Sequence, residues 1–233
     1  MPDTIPLALC PGLLLDGRLW QHQIPALADI AEIRVPDLTR HDSMAGMASA
    51  VLELMPERFA LAGLSMGGAV AFEVLRQAPE RVTHLALLDT RAVVDPPEQA
   101  ARRRGLMELA RKGRFRGVTP QLLPLLLHPD HQKDEALTRL IMDMAEAVGL
   151  EAFLRQETAL LHRADSLPLL PWIDQPTLVL CGRQDALTPL HYHEEMHAGI
   201  RGSELVVVET AGHLPPLEQP AAVNAALRAW LAR

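Results

Sequence analysis

Short apolar runs alternate with helical repeats of apolar and polar residues through the first ninety residues. Runs of this length are typical of buried strands, and the repeats between them predict amphipathic helices. Such alternation favours right-handed crossovers and a mostly parallel, twisted sheet flanked by helices, which is an α/β fold. The predicted strands cover residues 5–10, 31–35, 58–63 and 82–89, and the predicted helices cover residues 18–28, 44–55 and 66–77.

The pattern changes between residues 96 and 170, where no convincing strand occurs. Three amphipathic stretches predict helices over residues 98–112, 133–148 and 150–163, and prolines occupy the gaps between the first two. An all-helical segment of this length between strands favours an insertion rather than a continuation of the sheet.

Strand-like sequence returns at PTLVLCG (176–182) and SELVVVE (203–209), each followed by a helical pattern. We therefore predict one α/β core, formed by residues 1–95 and 171–233. Residues 96–170 form a helical cap or lid within the same structural domain. The cap is expected over the carboxyl ends of the strands, where open α/β sheets bind their ligands.

Charge and composition limit the kinds of molecule that the chain is predicted to bind. The chain carries 22 Lys and Arg against 29 Asp and Glu, a net charge of −7, with no basic stripe interleaved with aromatic residues. We therefore predict no nucleic-acid partner. The basic run at residues 102–104 and 111–116 is expected to be a solvated helix face. The predicted partner is a small molecule, and the chain is expected to be a monomer or homodimer.

No apolar run approaches the ~20 residues of a membrane span, so no membrane association is predicted. The first residues lack the basic and apolar regions of a signal peptide. The two cysteines, Cys10 and Cys181, are too few for a disulfide framework and are expected to be small buried hydrophobic residues. These features favour a cytoplasmic protein.

The segment GLSMGG places Ser65, one of five serines in the chain, between a predicted strand and a predicted helix. Gly63 and Gly67 flank it at two positions on either side, which is the spacing of G-x-S-x-G. A nucleophile on a tight turn requires neighbours without bulk at those two positions. The alternative is a serine that only caps the following helix, a role that needs neither glycine.

A serine nucleophile needs a general base, and the base needs a carboxylate that orients it. In a parallel sheet, both groups are expected in loops just after strands. Asp185 follows the strand in TLVLCGRQDALTP, and His213 follows the last strand in ELVVVETAGHLPPLEQP. The order along the chain is Ser, Asp, His.

With the segments GLSMGG, LCGRQDALTP and GHLPPLEQP, the sequence resembles the α/β-hydrolase superfamily over nearly its whole length, and within it a serine esterase or lactonase branch. The resemblance implies that Ser65 is the nucleophile, His213 the general base and acid, and Asp185 the orienting carboxylate. It also implies an oxyanion hole, formed by the backbone N–H groups of Met66 and Leu13. No cofactor and no metal are expected.

The loop after the first strand departs from the family pattern, because Pro11 stands where a histidine is usual. Proline has no N–H group, but the donor belongs to Leu13, so the departure concerns the rigidity of the loop. Asp89, at the end of the predicted strand 82–89, is the alternative orienting acid. Arg91 is interpreted as a surface salt bridge, with binding of a substrate carboxylate as the alternative.

The segment HYHEEMH fits H-E-x-x-H through His193 and His197, and adventitious surface metal binding is favoured over catalytic zinc for this pair. The expected reaction is hydrolysis of an ester, lactone or thioester of a small to medium, largely apolar substrate through an acyl-enzyme. Three alternatives remain open: C–C bond hydrolysis, cofactor-free perhydrolysis, and a ligand-binding receptor with a retained triad.

Overall fold

A computed structural model describes residues 4–233, and within that range the strands form one six-stranded parallel sheet. The order of strands across the sheet is β2-β1-β3-β4-β5-β6. The order reverses direction at β1, whose two neighbours are β2 and β3. The strands are β1 (Ile5–Cys10), β2 (Ala31–Arg34), β3 (Phe59–Leu64), β4 (Val82–Leu88), β5 (Thr177–Gly182) and β6 (Glu204–Val208). The predicted α/β fold class is confirmed.

Nine α-helices occur among the described residues, and they connect or extend the strands. They are α1 (Gln23–Leu27), α2 (Met44–Leu54), α3 (Met66–Gln77), α4 (Pro97–Leu109), α5 (Leu123–Leu126), α6 (Glu135–Leu161), α7 (Leu190–Gly199), α8 (Pro215–Glu218) and α9 (Pro220–Leu231). Between residues 4 and 233, no helix is both long enough and apolar enough to cross a bilayer.

Two hydrophobic cores lie on opposite faces of the sheet. Successive side chains of a strand point to opposite faces, and β1 shows the alternation: Leu7 and Leu9 pack into one core, Ala8 and Cys10 into the other. The first of these cores includes residues of α1 and α9, whereas the second includes residues of α2 and α3. Helices on both faces bury the strands, and every residue of β3 and β5 is buried.

Only helices and loops lie between β4 and β5. The two helices predicted over 133–148 and 150–163 form one element, α6, interrupted at Gly149 (φ 78°, ψ 176°). The four-residue α5 was not predicted, because its leucines flank a proline that breaks the helical pattern. The predicted helix over 18–28 is wrong in length: a 3₁₀ turn (Gly17–Trp20) precedes the short α1.

Candidate active site

The turn between β3 and α3 holds Ser65 in a backbone conformation that side chains rarely adopt, with φ 56° and ψ −112°. The two flanking glycines make this turn possible. A Cβ atom on Gly63 would overlap the carbonyl oxygen of Gly67, and a Cβ atom on Gly67 would overlap the carbonyl oxygen of Cys10. The packing therefore explains why neither position carries a side chain.

The turn presents Ser65 at the carboxyl end of β3, in the middle of the sheet. Its side chain makes no capping hydrogen bond to α3, so the helix-cap alternative has no support in the geometry. A positive φ at a non-glycine residue is strained, and such strain is typical of functional sites.

His213 and Asp185 are joined by a hydrogen bond of 2.8 Å between Nδ1 and Oδ2. Both side chains are buried. The other oxygen of Asp185 accepts hydrogen bonds from the backbone N–H groups of Leu187 (2.8 Å) and Thr188 (3.0 Å). Burial alone would raise the pKa of Asp185, but the His213 imidazole and the hydroxyl and N–H groups of Thr188 lower it to about 2. Asp185 is therefore ionised at neutral pH and orients the imidazole.

The loop that carries His213 is fixed by a glutamate that sequence reasoning missed. Glu218 is buried, and its carboxylate accepts hydrogen bonds from the backbone N–H groups of Gly212 (2.8 Å) and His128 (2.7 Å). The N–H of His213 donates to the carbonyl of Leu126 at 2.8 Å. The histidine loop and the segment around α5 thus hold one another in place. A glutamate inside GHLPPLEQP was visible in the sequence, but its partners lie up to 90 residues away.

The loop after β1 is held from α6. The backbone N–H of Leu14 (φ 59°) donates to Oε1 of Gln156 at 3.1 Å, and Nε2 of Gln156 donates to the carbonyl of Leu38 at 3.3 Å. Gln156 is buried. No acceptor among residues 4–233 takes the N–H of Leu13, which stays available to a ligand. The buried side-chain amide of Gln156 therefore fixes the loop after β1, whose rigidity was uncertain because Pro11 replaces the usual histidine.

Asp89 lies close to this pair but is not bonded to the imidazole. Its Oδ1 accepts from the N–H of Gly182 at 2.8 Å, and its Oδ2 has no hydrogen-bond partner among the described residues. One side-chain ligand atom each from Asp89, Asp185 and His213 lies within 4.8 Å of the other two. Complete burial and the neighbouring Asp185 carboxylate raise the pKa of Asp89 well above its usual value. The geometry favours Asp185 over Asp89 as the orienting acid.

The raised pKa of Asp89 predicts how Asp89→Asn changes stability. Above pH ~4 the unfolded chain loses this proton while the folded chain retains it, so the group costs stability as pH rises towards its folded pKa. Asparagine cannot ionise and accepts the same bond from Gly182. Thermal unfolding should give a Tm roughly 2–4 °C or more above wild type at pH 8, with the difference shrinking towards pH 4.

The matched control for this experiment is Asp174→Asn, which removes the same charge from an exposed position. Its difference from wild type should stay small across the pH range. If Asp89→Asn lowered Tm by more at pH 8 than at pH 4, the claim that the retained Asp89 proton lowers the stability of the wild type at high pH would be wrong.

The two histidines of the H-E-x-x-H segment do not share partners. His193 is fully buried, and its Nε2 accepts the N–H of Thr90 at 3.1 Å. Burial lowers the pKa of His193 to about 4. His197 is exposed and contacts the hydroxyl of Ser203 at 2.8 Å. His193 is therefore a neutral histidine of the core, and its hydrogen bond fixes Thr90, the residue after Asp89.

A cavity of about 800 Å³ opens over the carboxyl ends of the strands and is lined by Ser65 and His213. Leu13 and Met66 line it as well, whereas Asp185 does not line it and is bonded to Nδ1 of His213. The helical segment between β4 and β5 contributes many of the other lining residues. Its apolar contributors include Leu106, Leu109, Phe115, Leu122, Leu125, Leu126 and Phe153.

The cationic part of the cavity wall was expected only as the alternative role of Arg91. The prediction of a solvated face for the basic run is wrong for Arg103, whose side chain is 17% exposed. It holds for the exposed residues Arg102, Arg104, Arg111, Lys112, Arg114 and Arg116. Arg103 binds both Asp95 and Glu157. Arg91, interpreted as a surface salt bridge, is instead a buried cavity residue paired with Asp95. Helical periodicity does not reveal which distant acidic residues meet a basic face.

Residues 5–220 match the family model of the alpha/beta hydrolase fold, and the chain belongs to this family. It is 29% identical to the pimeloyl-[acyl-carrier protein] methyl ester esterase of Neisseria meningitidis serogroup C over 98% of this chain and 94% of that protein. These relationships confirm the predictions of the superfamily and of a hydrolytic enzyme.

Two solved structures are similar over nearly the whole chain. A malate-bound thermophilic esterase from Thermogutta terrifontis is 33% identical, with a TM-score of 0.88 over 99% of this chain and 90% of that one. The enol-lactonase from Burkholderia xenovorans LB400 is 23% identical, with a TM-score of 0.89 over 99% of this chain and 92% of that one. At that identity, the second similarity shows the fold alone.

Proposed function

We propose that the chain hydrolyses carboxylic esters of small to medium size through an acyl-enzyme on Ser65. The observation that carries the proposal is the convergence of a strained Ser65 and a buried, hydrogen-bonded His213–Asp185 pair on one cavity. The similarity to proteins named as esterases supports the bond type. The cap assignment for residues 96–170 and a cytoplasmic location remain part of the proposal.

The reaction begins when Oγ of Ser65 attacks the ester carbonyl carbon while Nε2 of His213 takes the hydroxyl proton. The resulting imidazolium is stabilised by Asp185, whose carboxylate fixes the proton on Nδ1. Negative charge develops on the former carbonyl oxygen. The backbone N–H groups of Met66 and Leu13 stabilise it, because one is the first N–H of α3 and the other has no acceptor among residues 4–233.

The tetrahedral intermediate collapses as the C–O bond to the alcohol breaks. His213 gives its proton to the leaving alkoxide, and the acyl group remains on Ser65. A water molecule then repeats the sequence: it loses a proton to His213, attacks the acyl carbon, and releases the acid and the free Ser65 hydroxyl. The apolar wall of the cavity is expected to bind the carbon chain of the substrate, since burial of methylene groups there is favourable.

The test is a screen of short and medium acyl esters, lactones and acyl thioesters, with Ser65→Ala as the blank. Hydrolysis of esters that depends on Ser65 is the expected result. Faster turnover of a β-diketone, or halogenation that requires peroxide, would instead support one of the alternative chemistries. Stoichiometric ligand binding without turnover of any activated ester would support a receptor and contradict the proposal.

A further inference from the structure

Five charged side chains at the cavity form a connected arginine cluster, in which Arg103 is partly buried and the other four are buried: Arg91, Asp95, Arg103, Glu157 and Arg163. Arg103 binds Asp95 through Nε and Glu157 through Nη1, each at 2.6 Å. Arg163 binds Asp95 at 2.9 Å, and Arg91 also pairs with Asp95. The side chains of Arg91 and Arg163 are 7% exposed, and those of the two acids are 4% or less. The cluster is part of the interior.

The charges of the arginine cluster do not cancel. Three guanidinium groups face two carboxylates, which leaves a net charge of +1. Burial alone would raise the pKa of Asp95, but Arg103 and Arg163 lower it, so this carboxylate is ionised. Burial raises the pKa of Glu157 against the opposing effect of Arg103, which can only make the cluster more positive. An uncompensated buried charge is costly unless a counter-charge meets it.

The cluster belongs to the same cavity as the nucleophile. All three of its arginines and Glu157 line the cavity, and so do Arg102, Arg114 and Arg116. Of the residues that the structure describes, six arginines and two glutamates line this cavity, and no aspartate or lysine does, in a chain whose net charge is −7. The positive charge is therefore concentrated at the site and is not a property of the whole surface.

All three arginines of the cluster retain N–H donors without an acceptor among the described residues, and in Arg163 this donor is Nε. A guanidinium has five N–H groups, and among residues 4–233 no acceptor takes Nε or Nη1 of Arg91 or Nη2 of Arg103. Arg91 is fixed by Asp95 and by the Tyr192 ring, whose centroid lies 5.4 Å from its Cζ. The preceding residue, Thr90, donates from its hydroxyl to the carbonyl of Ser65 at 2.8 Å. The free donors of Arg91 thus belong to a segment in contact with the nucleophile turn.

We infer that the substrate of this site is an anionic ester, in which a carboxylate bound by Arg91 and Arg103 is separated from the scissile ester by a short apolar chain. The inference rests on the proposed function. A carboxylate matches the net charge of the cluster and accepts the paired N–H donors of a guanidinium. The leucines and phenylalanines of the cavity lie beside the arginines and suit the methylene chain.

The experiment compares matched esters in which a carboxylate replaces a terminal methyl group. Monoethyl adipate against ethyl hexanoate places the carboxylate on the acyl side. 4-Acetoxybutanoate against butyl acetate places it on the alcohol side. Each enzymatic rate is divided by the rate of alkaline hydrolysis of the same ester, and Ser65→Ala is the blank. In at least one pair, kcat/KM for the anionic ester should exceed that for its neutral partner by about tenfold or more, mainly through KM.

Arg91→Gln should reduce this anionic-to-neutral ratio to about threefold or less, since it removes the free donors and one positive charge. The matched control is Arg104→Gln, which removes the same charge from an exposed position of α4 outside the cavity and should keep the ratio. A ratio retained in a folded Arg91→Gln variant would overturn the assignment of the site.

The comparison of the four esters in the wild-type enzyme needs no arginine variant. It distinguishes failure of the anionic-substrate inference from failure of the proposed ester hydrolysis. If both neutral esters are hydrolysed through Ser65 and neither anionic ester is preferred, the anionic substrate is wrong while the ester-hydrolase proposal stands. If none of the four esters is hydrolysed through Ser65, the proposed function is contradicted, and this inference fails with it.

Discussion

Ser65→Ala is expected to lower kcat for ester hydrolysis by about 10⁵-fold or more, because no other serine among residues 4–233 lines the cavity to form the acyl-enzyme. The structure provides the reason for so large an effect. The turn at φ 56° fixes this one serine at the centre of the sheet edge, on a cavity shared with His213. Backbone N–H groups would still bind the substrate, so a small residual rate above the rate in water is expected.

A fluorophosphonate probe measures the same claim without knowledge of the substrate. Intact-protein mass spectrometry should show one adduct, and peptide mapping should place it on Ser65. Ser43→Ala is the matched control, because Ser43 caps α2 and lies outside the cavity, so that variant should label normally. An adduct on another residue, or none in active protein, would remove Ser65 as the nucleophile.

The alternation of apolar runs and helical repeats was sufficient to predict all six strands of the sheet to within a residue at most ends. Buried parallel strands are short and uniformly apolar, so they stand out from the sequence around them. The bend at Gly149 was also predictable, because a glycine separates two amphipathic stretches there. The proline-rich region around α5 was not, since its conformation depends on contacts such as that between Leu126 and His213.

The residues of the candidate site also fall into two groups: those that could be predicted from the sequence and those that could not. Ser65, Asp185 and His213 occur in local motifs that follow strands, so their positions could be predicted from the sequence. Gln156 and Glu218 could not, because each is a single buried polar residue with a partner far away in the chain: Leu14 lies 142 residues from Gln156, and His128 lies 90 residues from Glu218. The charge of Arg103 at the cavity was missed because it meets Asp95 and Glu157 only in the folded protein.

Asp185→Asn is expected to lower kcat by about 10³–10⁴-fold, because it reverses the hydrogen bond that fixes the tautomer of His213. In the wild type, Oδ2 of Asp185 accepts the Nδ1 proton over 2.8 Å. The two backbone donors, Leu187 and Thr188, hold the other oxygen, so an asparagine would turn its NH₂ group towards Nδ1. The imidazole proton then moves to Nε2, which can no longer accept the Ser65 proton.

Asp89→Asn should lower kcat by about tenfold or less, because Asp89 is bonded to Gly182 and not to the imidazole. The double variant Asp89→Asn/Asp185→Asn shows whether Asp89 can replace Asp185 as the carboxylate that acts on His213. Should Asp89 act on His213 once Asp185 is lost, Asp89→Asn would cost much more in the Asp185→Asn background than alone. Steady-state kinetics at pH 7 and pH 9 would measure all three variants, since Asp185, with its pKa lowered to about 2, does not titrate in this range. A loss in Asp89→Asn equal to or greater than that in Asp185→Asn would show that the orienting acid is the residue after β4, and that the 2.8 Å contact to Asp185 does not carry the catalytic effect.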